Sequence, residues 1–267
     1  MEQAASMSTH LHPPRQDAWL WRLFATGLAF ILFGAGSLML RLFVFPVQRL
    51  LPGTQVSKQR RARNTISWVF RFLIRFLVRS GVLTLDIQGA ERLGRPGQLI
   101  IANHPSLLDV ALLIAHTRNA NCIVKESLFG NPFTRGPLAA AGYIGNMEGL
   151  DTLERSAGSL RAGAPLIMFP EGTRTRLGTL PTFHRGACAI AMRGASVVTP
   201  VVISMRPVSH YKGAPWYQIP RRRIHYSLVV GPDLDPASWL EQGPLPIVTR
   251  RLNEHLHAHF HRELTKA

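Results

Sequence analysis

Acidic residues are scarce in this 267-residue chain, which carries 15 Asp and Glu against 31 Lys and Arg, a formal net charge of +16. So one-sided a balance calls for an anionic partner: nucleic acid, acidic phospholipid headgroups or an acidic carrier protein. Composition alone does not choose among them. Cysteine is scarcer still. Only Cys122 and Cys188 occur, which excludes a disulfide-dense scaffold and fits a reducing compartment. Both lie in apolar or small-residue stretches and read as buried core thiols. Charged residues make up only 17% against 46% hydrophobic, so the chain can build a core and is not a disordered polymer. There is no P-loop, no GxSxG nucleophile elbow, no dinucleotide fingerprint and no HExxH pair, which argues against the chemistries those motifs carry. His255, His257, His259 and His261 alternate. With no cysteine nearby they read as a solvated terminal helix, and no metal site is expected.

What is present begins with a long apolar run. Leu23 to Leu40 is 18 residues without a charge, and as a helix it would reach about 27 Å against a hydrocarbon core of about 30 Å. Arg22 and Arg41 bracket it and are expected to snorkel outward, with Trp19 and Trp21 at an interface. Basic residues follow the run (Arg41, Arg49, Lys58, Arg60, Arg61, Arg63) more than they precede it (Arg15, Arg22). This asymmetry places the downstream domain on the cytoplasmic side of the inner membrane. A re-entrant helix is the main alternative, given the small residues from Gly34 to Ser37. A cleaved signal peptide fits poorly, because the run starts late and a basic stretch follows it. In the segment 64–80, Arg71, Arg75 and Arg79 recur every four residues and form one narrow basic stripe on a helix that is otherwise mostly apolar. Such a helix suits the headgroup layer; the alternative is packing against the domain with one basic edge outward.

From Val82 onward, short β-like runs alternate with helical stretches. Val82–Gly89, QLIIAN at 98–103, CIVK, PLIMFP, VVTPVVI and HYSLVVG read as strands. Helices are expected from about Ser106, over Ser127 to Ala141, toward Arg161, over Arg185 to Arg193 and over Pro246 to Leu264. Asp151 and Glu154 have the spacing of a capping box. The expected fold is α/β, a mixed sheet flanked by helices and preceded by N-terminal membrane-associated helices. The domain plan is a flexible terminus at 1–18, a membrane-associated segment at 19–81 and a catalytic domain at 82–267.

Two constellations carry chemistry. The strand QLIIA runs directly into NHPSLLD, in which His104 and Asp109 are five apart, about 140° around a regular helix. Pro105 disfavours helical geometry at His104 and is well placed at a helix start, so His104 stands on the turn and Asp109 leans back from the first helical turns. An imidazole held by a carboxylate can take a proton from an alcohol. PLIMFPEGTRT then places Glu171, Gly172, Thr173 and Arg174 at a strand's carboxyl edge. Gly172 permits close approach, Thr173 offers a hydroxyl and Arg174 a fork for phosphate or carboxylate. Taken alone, the same residues could be a polar turn with a buried Glu–Arg pair.

NHPSLLD followed some sixty residues later by FPEGTR resembles the glycerophospholipid acyltransferase family, typified by 1-acylglycerol-3-phosphate acyltransferases. KESLFGNPFTRG, FHRGA and VVTPVVI are similar to further family segments in the same order, from about Leu83 to Gly231. The resemblance implies that His104 is the base, Asp109 its partner and Glu171, Gly172, Thr173 and Arg174 the acceptor-phosphate site. It also implies acyl-CoA or acyl-carrier protein as co-substrate, membrane lipids as partners, and neither cofactor, metal nor covalent intermediate. A nucleic-acid partner is not expected. GYIGNMEG departs from the family pattern, with Glu148 near an arginine position that Arg135 or Arg176 would have to replace. That opens a different hydroxylated lipid or specialised metabolite as acceptor. Two other classes fit parts of the sequence: a non-catalytic basic protein binding membrane or nucleic acid, and a thioesterase using water.

Overall fold

The structure is a computed structural model describing residues 18–146, 149–176 and 178–266. Residues 1–17 of the expected flexible terminus at 1–18, and Glu148, lie outside the described residues. Helix α1 (Trp19–Met39) passes through a π-helical turn, Leu40–Val44, into α2 (Phe45–Leu50). The widened turn falls just before Pro46, which has no amide hydrogen to give and whose ring crowds the preceding turn. Together they form a helix of 32 residues, long and apolar enough to cross a membrane. A short turn reverses the chain into α3 (Gln55–Arg79), whose N-cap Thr54 accepts from Ser57 N at 3.3 Å.

The α/β elements follow as β1 (Leu83–Gln88), β2 (Gln98–Ala102), α4 (Asp109–His116), β3 (Asn121–Val124), α5 (Arg135–Ala141), β4 (Ile144–Gly145), α6 (Leu150–Arg161) and β5 (Leu166–Met168). They end with α7 (Gly186–Gly194), β6 (Val197–Arg206), β7 (Ile224–Val230), α8 (Pro236–Leu240) and α9 (Leu245–Lys266). The seven strands form one sheet in the order β1-β7-β6-β2-β5-β3-β4. It is mixed: β7 pairs antiparallel with β6 and parallel with β1, while the strands from β6 to β4 are parallel. The expected fold class is therefore observed.

Central β2 is buried at every position, as a strand covered on both faces must be. Its side chains alternate: Ile100 and Ala102 join the core beneath α3 and α4, while Leu99 and Ile101 join the core of α7 and α9. The face of α1 toward the domain carries Ala25, Thr26, Ala29 and Ser37, small enough for close helix approach. Its other face leaves Leu20, Phe24, Ile31, Leu42, Phe43 and Val47 each more than half exposed.

Four details differ from the sequence reading. Arg22 does not snorkel: it is 2% exposed and donates to the carbonyls of Pro220, Arg221 and Arg222 at 3.1, 2.6 and 3.0 Å. The loop backbone satisfies the guanidinium that a headgroup was expected to satisfy. The Asp151–Glu154 capping box does not form, because α6 begins at Leu150 with Gly149 as N-cap. Both acids instead face arginines, Asp151 with Arg155 and Glu154 with Arg161 and Arg193, each at 3.6 Å. The expected helix over 127–141 is a 3-10 turn, Glu126–Phe129, and then α5, with Gly130 and Pro132 between them. Finally, α4 begins at Asp109 rather than near Ser106.

Candidate active site

Strand register creates the site. Leu99 pairs with Leu166 and Ile101 with Met168, a constant offset of 67 residues (166 − 99 and 168 − 101). Extending both chains three residues past the last pair brings His104 opposite Glu171. The Glu171 carboxylate accepts the His104 backbone N–H at 2.8 Å and the Thr175 hydroxyl at 3.0 Å, while Thr175 N donates to His104 O at 2.8 Å. The backbone of His104 is thus held at both its N–H and its carbonyl by the EGTRT turn. On the other flank, Asn103 Nδ2 donates to Ile203 O at 2.8 Å and Asn103 Oδ1 accepts Ile203 N at 2.7 Å. The turn is locked between β5 and β6.

His104 Nδ1 lies 2.8 Å from Asp109 Oδ2. Asp109 is fully buried, and the same oxygen accepts Ser106 N at 2.6 Å. Burial drives the Asp109 carboxyl above its ordinary range; the imidazole, the Ser106 amide and the charge of Arg174 oppose that shift. A carboxylate so placed gains most when its neighbour carries a proton, which suits an imidazole that becomes charged during a reaction. Ser106 is itself tied down by buried Tyr226, whose hydroxyl donates to Ser106 Oγ at 2.7 Å from β7, 120 residues away. Phe169 stacks on the His104 ring at 4.2 Å between centroids. With Nδ1 committed to Asp109, Nε2 is the ring atom left for a substrate, and the side chain keeps 16% exposure.

The remaining predicted residues surround this pair unequally. Gly172 adopts φ 65°, a left-handed conformation that lets the chain turn back sharply at little cost to glycine. Thr173 is exposed. Arg174 Nη1 donates to His210 O at 2.9 Å and Tyr211 O at 3.1 Å, which fixes the guanidinium beside the histidine turn. No Glu171–Arg174 ion pair forms among the described residues, so the plain polar-turn reading fails in its detail. Burial raises the Glu171 carboxyl, partly offset by the His104 amide and the Thr175 hydroxyl. Sequence reasoning missed Asn103 as a clamp, and Ser106, Thr175 and Tyr226 altogether. Cys122 and Cys188 are buried, and burial pushes both thiols up to about 12, so neither supplies a thiolate near neutral pH.

A histidine–aspartate pair thus stands on the turn after a central parallel strand and faces a second polar turn at the same sheet edge, an arrangement chemically able to take a proton from an alcohol. Residues 84–204 match the family model described as Acyltransferase. Over 179 residues the chain is 30% identical to the 1-acyl-sn-glycerol-3-phosphate acyltransferase of Helicobacter pylori, covering 61% of this chain and 70% of that one. It is 31% identical over 160 residues to the lyso-ornithine lipid O-acyltransferase of Pseudomonas aeruginosa, covering 58% of each. The crystal structure of the 1-acyl-sn-glycerophosphate (LPA) acyltransferase PlsC from Thermotoga maritima shares the fold, with TM-score 0.63, 19% identity and coverage of 89% of this chain and 97% of that one. Against the chloroplast and yeast relatives it also matches, the chain spans 35–52% of their length. The chain belongs to the glycerophospholipid acyltransferase family.

Proposed function

We propose that this protein is a membrane-bound acyltransferase that moves a fatty acyl group from acyl-CoA or acyl-carrier protein to a hydroxyl of a lysophospholipid such as 1-acylglycerol-3-phosphate. The observation that carries this reading is the His104–Asp109 pair, with one ring nitrogen tied to a buried carboxylate and the other left for substrate. His104 Nε2 takes the proton of the acceptor hydroxyl as its oxygen attacks the thioester carbonyl. A C–O bond forms, the tetrahedral adduct collapses, the C–S bond breaks, and the leaving thiolate recovers the proton from the imidazolium. Asp109 stabilises that imidazolium between the two steps. No covalent bond to the protein is needed.

Within this reading Glu171 acts as a positioning residue, since its carboxylate is occupied by the His104 amide and would repel a phosphate. The acceptor phosphate falls to Arg174 and the Gly172–Thr173 backbone, with Arg176 and Arg135, both exposed, as further candidates. The outer face of α1 and α2 enters the lipid while the inner face stays on the domain. Arg22 holds one end to the 220–222 loop, and Arg41 Nη1 holds the other to Pro132 O at 2.7 Å. Held at both ends, α1 lies along the domain in one leaflet, close to the re-entrant reading, with the catalytic domain on the cytoplasmic face. A second reading keeps the chemistry and changes the acceptor to another hydroxylated lipid. The similarity to the lyso-ornithine lipid enzyme favours it, as does Glu148 in place of the family arginine.

Purified protein given one thioester donor and a choice of acceptors separates the two. Lysophosphatidic acid should exceed monoacylglycerol, its counterpart without phosphate, by about 100-fold in kcat/KM, because a site built for a charged group leaves its donors unpaired without it. Equal rates on the two, or a preference for a lyso-ornithine lipid, would move the assignment to the second reading.

A further inference from the structure

The arginine stripe of α3 does not face the His104 turn. Arg71, Arg75 and Arg79 open onto a surface groove of about 380 Å³, with Ile74, Val78 and Leu85 as its apolar lining and His116 as one wall. His116 closes α4 and Asp109 opens it, so the groove lies about 10 Å along the helix axis from the proposed catalytic pair. Arg71 is fixed at the carboxyl end of α4, its Nε donating to Ala115 O at 3.1 Å. Arg75 and Arg79 make no hydrogen bond or ion pair among the described residues. Among the described residues no acidic side chain lines the groove. Asp86, next to Leu85, points to the other side of its strand and is engaged by Gln88 Nε2 at 3.1 Å. Burial and the charges of Arg71 and Arg75 hold the His116 imidazole below its ordinary range, so it adds a neutral wall rather than a fourth cation.

Two unpaired guanidiniums and one anchored guanidinium above an apolar lining match an amphiphile with an anionic head. The surroundings say where such a molecule comes from. Trp68 and Phe72, 65% and 54% exposed, stack along the same helix. Trp21, half exposed at the start of α1, donates its indole N–H to Ser80 O at 2.8 Å, one residue past Arg79. The groove's arginines therefore share α3 with exposed aromatic side chains and end beside the point where Trp21 of α1 meets Ser80. We propose that it is a second lipid site, which grips the phosphate of an anionic bilayer phospholipid and fixes the protein on the membrane without taking part in acyl transfer. This rests on the reading that α1 and α3 meet a bilayer, and not on which acceptor the enzyme uses.

The test is flotation of the full chain with vesicles of phosphatidylcholine alone and with phosphatidylglycerol added. Wild-type protein should prefer the anionic vesicles, and the pair Arg75→Ala with Arg79→Ala should cut that preference by about 30-fold. The pair Arg75→Lys with Arg79→Lys keeps the charge but loses the planar forks, and should lose about tenfold. Binding to neutral vesicles and acyl transfer with detergent-dispersed substrates should stay at wild-type levels in both. An alanine pair that keeps the preference overturns the site, and so does a lysine pair equal to wild type, which leaves only diffuse attraction. If soluble inorganic phosphate abolishes the preference at matched ionic strength, the groove belongs to a free anion and the lipid assignment falls. Wild-type protein that binds both vesicles equally keeps bilayer attachment and overturns the groove; protein that binds neither overturns both.

Discussion

Replacing His104 by alanine is expected to lower kcat for acyl transfer by at least 10³-fold while leaving vesicle binding unchanged. General-base catalysis is worth about 10² to 10⁴ in rate, and the other carboxylate at this turn, Glu171, is already occupied by the His104 amide and the Thr175 hydroxyl. Cys122 and Cys188 are buried thiols pushed up to about 12, and the Asp109 carboxylate is fully buried behind the ring. The variant should fold, because the anchoring of the turn runs through the backbone of residue 104 and through Asn103, all of which alanine preserves. It does strand the Asp109 carboxylate, so a modest fall in melting temperature should accompany the loss of rate. Assaying transfer and flotation on the same preparation separates the readings. Lost transfer with retained binding fits a catalytic histidine; a basic binding protein would show no transfer in either form.

Glu171 gives the second large effect, and its direction discriminates between roles. If Glu171 positions His104, Glu171→Ala leaves the His104 N–H unpaired in a half-buried turn and lets the ring drift. A misplacement of about 1 Å can cost about 10²-fold in kcat, with KM for lysophosphatidic acid changing by no more than about threefold. Glu171→Gln keeps a carbonyl oxygen for the same N–H and should recover most of the rate. Were Glu171 instead part of the headgroup contact, KM would move and the glutamine variant would offer no rescue. Steady-state kinetics of the two variants, read as separate kcat and KM values, decide it.

The pairing of His104 with Asp109 was legible in seven consecutive residues because the proline between them forces a turn, and local geometry then does the rest. The strands were legible from their apolar runs, and the paired helices α1 and α3 from an uncharged stretch and an i,i+4 arginine series. What escaped depends on register. Nothing in PEGTR announces that its glutamate will meet an amide 67 residues away; that follows only once Leu99 is known to lie beside Leu166. Tyr226 reads as one residue of a buried strand, yet its hydroxyl braces Ser106 across 120 residues. Arg22 misled for the same reason. An arginine flanking an apolar run resembles an interfacial anchor until a distant loop, 220–222, supplies three carbonyls to bury it. Capping-box spacing at Asp151 likewise could not foresee Arg155, Arg161 and Arg193 competing for the same carboxylates.

Direct acyl transfer between two substrates is tested most simply by following thiol release and lipid ester together, with purified protein, a thioester donor and a lysolipid. The expected result is one thiol liberated for each ester made, negligible thiol without the lysolipid, and no acyl chain left on the protein. Thiol and free fatty acid appearing at the same rate whether or not a lysolipid is present would contradict it and make the protein a hydrolase.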